Sequence, residues 1–434
     1  MTWEVLDTWI VVIGALCAAG CALPGAILVL RRMSLMGDAI SHTVLPGIAI
    51  AFLITGSRDP AAMLFGAVVV GLVTAFLVQA IHSLGRVEVG ASMGIVFTVL
   101  FALGLVLMRL AVDHVDIDPD CVLYGAIEFA WFDQVRFLGF DVPRGFVING
   151  FMCIVNALII LVFYKEFKIT SFDAQLAKSQ GIRPAWMHYL LMTMTAATAV
   201  TAFETVGSIL VVAMFIVPAA TAYLLTDRYG VLLFLSVGIA MIGSVIGHIG
   251  AITIPLWFGF SGTSTAGAMA VAIGVLFGIA WIGSPKHGLL IRAWHRIAVR
   301  LHVIEEDVLG ILWRLEERKL AAIQSEQIAH AIGSAPYLVR MSLRHLKKDG
   351  RIELENNRWS LTEAGRSEAT ALIRTHRLWE VYLDTHFPQD QHQLHQAASR
   401  LEHVTTESMQ SALGDAREDP HGSNVPNAKD DQSE

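Results

Sequence analysis

Asp38 and His42 stand four residues apart in Met36-Gly37-Asp38-Ala39-Ile40-Ser41-His42-Thr43-Val44-Leu45-Pro46-Gly47, and the chain beyond stays apolar through Leu53-Ile54. On a helix that spacing puts a carboxylate and an imidazole on one face. An Asp at the centre of a membrane helix costs roughly 2.5–3.5 kcal/mol on insertion scales, and ionisable groups at that depth usually mark an ion path. One oxygen and one nitrogen ligand suit a divalent transition metal. Pro46 has no N–H, so the His42 carbonyl loses its helical partner and is also open to a cation. The alternative is that Asp38 caps a broken helix and His42 packs as an ordinary polar residue.

The far end of the chain holds a second set of metal-ligating types: His376, Glu380, His395, Glu402 and His403. His376 and Glu380 share one helix face, and His395, Ser399, Glu402 and His403 can share another. A single His is usually structural, but this mixture of nitrogen and oxygen ligands suits manganese, iron or zinc. Asp113, His114 and Asp116 form an acidic cluster that can gather cations at an outer mouth, although such a loop is more often simply solvated. Glu204 and His248 are weaker candidates. Cys17 and Cys21 share a helix face and read as small packing residues.

The elements that position these groups are of two kinds. The chain has 434 residues, 54% hydrophobic and 16% charged, against roughly 25% charged in a typical soluble domain. Runs at 9–30, 38–55, 62–83, 90–110, 146–164, 186–202, 205–225, 230–250 and 264–284 give about nine membrane crossings. Residues 121–132 read as re-entrant or interfacial. Arg31, Arg32, Lys165, Lys168, Arg228, Lys286, Arg292 and Arg296 follow alternate runs, which places the N-terminus outside and the C-terminal part in the cytoplasm. No cleavable signal peptide is evident. No phosphate loop and no nucleophile–base set occurs, so the chain carries no recognisable ATP site and an enzyme is the least favoured class.

From about Lys286 the chain is charged. Helices at 303–320, 324–332 and 337–348 are followed by 351–361, which alternates about an Asn-Asn turn and reads as a hairpin. Helix, helix, helix, hairpin is the order of a winged helix-turn-helix. Its third helix carries Arg340, Arg344, His345, Lys347 and Lys348, suited to phosphate and base-edge contact. Across 324–366 the basic residues only slightly outnumber the acidic ones, so a role as a protein-contact module stays open. The expected organisation is therefore an all-α polytopic membrane part (1–290), a linker (291–302), a winged helix-turn-helix (303–366), a helical metal-sensing and dimerisation region (367–414) and a polar, disordered tail (415–434).

Arg31 to Gly47, with Glu204-Thr205-Val206-Gly207 running on to Pro218 and Ala222, resembles the permease subunits of ABC importers for manganese, zinc and iron. That resemblance covers about residues 5–290. It implies a bacterial inner-membrane permease with a second permease chain, a separate cytosolic ATPase and a separate extracytoplasmic metal-binding protein. It also implies that Asp38 and His42 line the path and hold the metal. By the same resemblance Phe172, Asp173, Ala177 and Gly181 belong to the segment that docks on the ATPase, which reads here as one short amphipathic helix ending at Gly181.

Residues 303–426 resemble the metal-dependent repressors of the diphtheria toxin repressor and manganese-repressor family. The helix at 371–384, Arg400-Leu401-Glu402-His403 and the stretch from Asp419 to Pro426 carry it. It implies Asp307, Glu402 and His403 at primary-site positions, Glu380 and His395 at secondary-site positions, and His376 in one or the other. Ser399 departs from the family, which has Cys or Glu there. Together the two parts imply a metal-importer permease fused to a metal-sensing, winged-helix domain, with operator DNA open as a partner of that domain. The alternatives are a tethered or proteolytically released repressor, or a metal-responsive brake on transport.

Overall fold

The computed structural model describes residues 3–56, 60–112, 127–137, 139–259, 263–321, 323–387, 391–414 and 416–426, some of them by backbone alone. The chain divides into two compact units, Met1–Ile291 and Arg292–Glu434.

The first unit contains α1 (Val5–Leu30), α2 (Leu35–Thr55), α3 (Pro60–Gly85), α4 (Val89–Val112), α5 (Arg144–Val162), α6 (Tyr164–Phe172), α7 (Ala174–Ser179), α8 (Pro184–Val206), α9 (Ser208–Leu225), α10 (Tyr229–Trp257) and α11 (Thr265–Gly283). Among the described residues six of these, α1, α3, α4, α5, α10 and α11, are long and apolar enough to cross a bilayer. The apolar stretches of α2 and α9 are shorter, Leu45–Thr55 and Leu210–Leu225. Residues 121–126 lie outside the described residues. The region from Gln134 to Pro143, which has no counterpart in the sequence reading, is an antiparallel hairpin, β1 (Gln134–Phe137) and β2 (Phe140–Pro143), with Gln134 opposite Pro143.

Helix α1 is the enclosed element, packed by α5, α8, α9 and α10. Its Ala, Gly and Cys residues allow that close approach. A Cβ at Gly25 would stand 2.1 Å from the Phe215 carbonyl oxygen, so α1 and α9 touch there backbone to backbone. Outward faces stay apolar, as Phe65, Phe76, Val99, Phe151, Phe234 and Val271 illustrate, which suits contact with hydrocarbon. Inside, Asn156 Nδ2 donates to the Gly20 carbonyl and to Thr198 Oγ1 at 3.0 and 2.7 Å, tying α5 to α1 and α8.

The second unit is built on α12 (Leu289–Glu317), α13 (Ser325–Ile332), α14 (Pro336–Lys348), the hairpin β3 (Ile352–Glu355) and β4 (Arg358–Leu361), α15 (Glu363–His386), α16 (Gln391–Leu401), a 3-10 turn at Glu402–Val404 and α17 (Glu407–Ala412). Helix α12 begins at Leu289, so the stretch read as a linker, 291–302, is helical. Asn356 and Asn357 take positive φ (48° and 62°), the conformation a tight two-residue hairpin requires. Val308, Leu312, Ile328, Val339, Leu343, Leu346, Ile352 and Leu361 form the core.

Residues 416–426, expected to be disordered, are folded. Arg377 is the cause. Its guanidinium reaches both Glu317 oxygens (2.9 and 2.8 Å), Asp419 Oδ2 (3.5 Å) and the Asn424 carbonyl, and lies over the Trp313 ring. Asp419 Oδ1 in turn accepts from the amides of His421 and Ser423. Residues 427–434 lie outside the described residues.

Candidate metal centres

The first centre is on α2. Asp38 and His42 occupy adjacent turns of that helix, one face by spacing. Their side chains lie outside the described residues. Of the residues between and beside them, Met36, Ala39, Ile40 and Thr43 are buried. A Cβ at Gly37 would meet the Phe215 ring at 3.3 Å, so α2 is seated on α9 immediately before Asp38. Thr43 hydrogen-bonds Thr74 of α3 at 2.9 Å, both buried. On the far side of His42, a Cβ at Gly104 of α4 would stand 2.8 Å from Pro46 Cδ. The proline step is therefore closely covered by α4.

Other sequence candidates in this unit separate. Asp113, His114 and Asp116 lie outside the described residues, as does Cys121. Glu204 faces Arg144 at 3.3 Å and is half exposed, an ion pair at a helix end. His248 is buried, with Nε2 3.2 Å from Asp7 Oδ1. Cys17 and Cys21 are buried free thiols.

The docking segment differs from the single helix expected. It is two helices, α6 and α7, broken at Asp173, whose backbone is extended (φ −146°, ψ 101°). The break follows from the side chain. Asp173 Oδ1 accepts from the amides of Gln175 and Leu176 at 2.8 and 2.9 Å and so caps α7. Phe172 is exposed, Ala177 is buried, and Gly181 ends the turn at φ +81°. Arg31, read from sequence as a loop charge and the start of a motif, has a further part here. From the turn that precedes α2 it donates to Thr170 Oγ1 (2.6 Å) and Ser171 Oγ (3.2 Å) of α6.

The second centre gathers groups from four segments. His376 and Glu380 lie one turn apart on α15. His395 comes from α16, Glu402 and His403 from the 3-10 turn, and Asp307 from α12. They form two triads, His376–Glu380–His395 and Asp307–Glu402–His403, each with ligand atoms within 4.8 Å of one another. His376 joins them. Its Nε2 is 3.1 Å from Glu380 Oε1 and from His395 Nδ1, and its Nδ1 is 2.7 Å from Glu402 Oε2. That last pair is buried, and beyond this ion contact neither atom has a hydrogen-bond partner among the described residues. An imidazole nitrogen and carboxylate oxygens brought this close suit a divalent cation once the imidazole gives up its proton.

Charge is already balanced within the cluster. Burial alone would lower His376, but Glu380 and Glu402 outweigh it and raise its pKa. Burial likewise opposes charge on His403, and Asp307 and Glu306 carry it up to about 10. Burial would raise Glu380, while His376 and His395 hold it at about 2. Two participants were missed from sequence. Glu306 Oε2 accepts from His403 Nδ1 at 2.6 Å, and His421 Nε2 lies 3.8 Å from Glu380 Oε1. Glu306 gave a signal, since it adjoins Asp307. His421 gave one as well, since it lies in the stretch from Asp419 to Pro426 that carries the repressor resemblance, but that stretch also read as part of a disordered tail. Ser399 is half buried on α16.

Glu305, the next acid on α12, points elsewhere. It is buried and lies 2.8 Å from His345 Nδ1 on α14. Arg340, Arg344, Lys347 and Lys348 are exposed along α14, beside exposed Tyr337 and Met341.

Comparison with known proteins divides the chain the same way. The model of the ABC 3 transport family matches residues 4–283, and that of the iron dependent repressor metal binding and dimerisation domain matches residues 362–427. The manganese transport system membrane protein MntD of Bacillus subtilis is 44% identical over 285 residues, 65% of this chain and 94% of that protein. The zinc transport system membrane protein TroD of Treponema pallidum is 34% identical over 382 residues, 86% of this chain and 99% of that protein, so the likeness runs past the first unit. The solved structure of PsaBC from Streptococcus pneumoniae in complex with Fab matches 65% of this chain and 94% of its own, with TM-score 0.54 and 30% identity.

Proposed function

The chain belongs to the ABC 3 transport family, and on that premise we propose that it is the membrane-spanning permease subunit of an importer for a divalent transition metal, manganese or iron ahead of zinc. The observation that carries this reading is the pair Asp38 and His42, in an otherwise apolar helix seated on α9 within the matched span. The metal is the cargo. It is met by one carboxylate and one imidazole, enough to replace part of its hydration shell and few enough to release it.

Nine crossings, α1–α5 and α8–α11, put the N-terminus outside and the second unit in the cytoplasm of a bacterial cell. A separate cytosolic ATPase docks at Phe172, Asp173, Ala177 and Gly181. A separate extracytoplasmic metal-binding protein delivers the ion, with Asp113, His114 and Asp116 at the outer mouth, and a second permease chain completes the pore. The second unit acts as a metal sensor. Asp307, Glu402, His403, His376, Glu380 and His395 hold a cation, whose charge would draw the carboxylates of separate segments together. Residues 303–366 form the winged helix-turn-helix, and Arg340, Arg344, Lys347 and Lys348 contact phosphates of operator DNA. The exposed basic face of α14 favours this over a purely protein-contact module.

The test is uptake of manganese, ferrous iron and zinc by proteoliposomes containing the assembled transporter. Asp38→Ala and His42→Ala are each expected to abolish it, and near-normal uptake by both overturns the assignment. Operator binding by the full chain in detergent, with and without manganese, tests the second unit.

A further inference from the structure

Helix α12 is two kinds of surface in succession. From Ile304 onward its apolar residues enter the core of the second unit. Before that, every residue from Leu289 to Arg300 is exposed. This half is not polar. Leu290, Trp294 and Ile297 are 64%, 72% and 49% exposed, and their spacing of four and three places them on one stripe. Arg292 and Arg296 fall on the opposite face and Arg300 at its flank. None of the three guanidiniums has a carboxylate partner among the described residues, whereas nearby Lys286 is paired with Asp227.

We propose that the first half of α12, Leu289 to Arg300, lies in the headgroup region of an anionic bilayer, with Leu290, Trp294 and Ile297 inserted and the arginines on lipid phosphates. Three observations select this occupant. The helix starts only a short turn after α11 ends at Gly283, so its residues cannot be far from the surface where that span emerges. An apolar stripe with Trp at its centre and a basic opposite face is the pattern of a helix lying in the interface plane. The charge is of one sign, complementary to acidic lipid. Duplex DNA would use the arginines and leave the Trp294 stripe bare. A second copy of this chain would cover the stripe and leave the arginines unpaired. The inference rests on the membrane reading of the first unit, and that reading fails separately: a chain that is not integral would not enter nanodiscs at all.

The test is amide hydrogen exchange of the full chain in detergent, in phosphatidylcholine nanodiscs and in nanodiscs containing phosphatidylglycerol as well. Exchange over 289–300 is expected to slow about tenfold with the anionic lipid relative to the other two. Trp294→Glu, or Arg292→Gln with Arg296→Gln and Arg300→Gln, should abolish that slowing, and Trp294→Phe should keep it. Unchanged exchange in α10 and α11 shows that each variant is folded. Equal protection in detergent and both lipids would mean a protein covers the stripe, and rapid exchange everywhere would mean nothing does. Protection by added duplex DNA in place of lipid would also overturn the proposal.

Discussion

The two candidate centres offer the same classes of ligand, carboxylate and imidazole, in opposite architectures. Helix α2 offers two ionisable side chains, Asp38 and His42, both from one element. The cluster of the second unit draws six candidate ligands from α12, α15, α16 and the 3-10 turn, with Glu306 and His421 beside them. On the proposed reading, a pair on one helix would hold a cation weakly and move with that helix, and a cage from four segments would hold it tightly and change shape when filled. The contrast would then be that between passing an ion on and keeping count of it.

The strongest way to break that contrast is to exchange the lesions. Asp38→Ala should eliminate metal uptake by the assembled transporter, whereas Glu402→Gln should leave the basal uptake of metal-depleted vesicles near its original rate. Equal loss from both would show that the two centres are one machine. Next, Glu402→Gln should weaken manganese binding by the purified chain far more than Glu306→Gln, an outer partner whose removal is expected to cost about 10–100-fold in affinity. Calorimetric titration with manganese gives both values.

The cage should also release protons when it fills. His403, raised to about 10, is protonated at neutral pH, and a metal takes only the neutral imidazole. Each ion bound should therefore displace a proton, and affinity should rise with pH. Titrations in buffers of different ionisation enthalpy that show no difference would contradict this. A smaller effect is stability. Arg377→Met removes the cation from buried Asp419 and partly exposed Glu317 and should destabilise the second unit by about 3 kcal/mol, read as an earlier denaturation midpoint. The smallest is Thr74→Val, which deletes one buried hydrogen bond to Thr43 and should cost about 1 kcal/mol.

What the sequence disclosed and what it hid divide along the same boundary. Periodicity and apolar length are local, and each expected crossing coincides with a helix. The i, i+4 pairs Asp38–His42 and His376–Glu380 were likewise readable from spacing. Long-range pairing was not. The segment 416–426 is rich in Gly, Pro and Asp, so nothing local predicts order. Its order comes from Arg377, distant in sequence and shared with Glu317. The break at Asp173 was hidden differently: an Asp within an apolar helix reads as a polar face position, and only its two amide contacts reveal a cap. The hairpin at 134–143 is short enough to pass for a loop.

Glu305, Glu306 and Asp307 are consecutive, yet one faces His345 of α14 and the other two face His403. Each added or removed residue turns a helix by about 100°. A single insertion between Asp307 and Val308 would thus turn all three acids together relative to the core residues Val308, Leu309 and Leu312, while substitutions at exposed positions of the same turn would redirect none. Between the acids and that core the residue count matters more than the spelling. Length variation among natural versions of the chain should therefore avoid the stretch from Glu305 to Leu312.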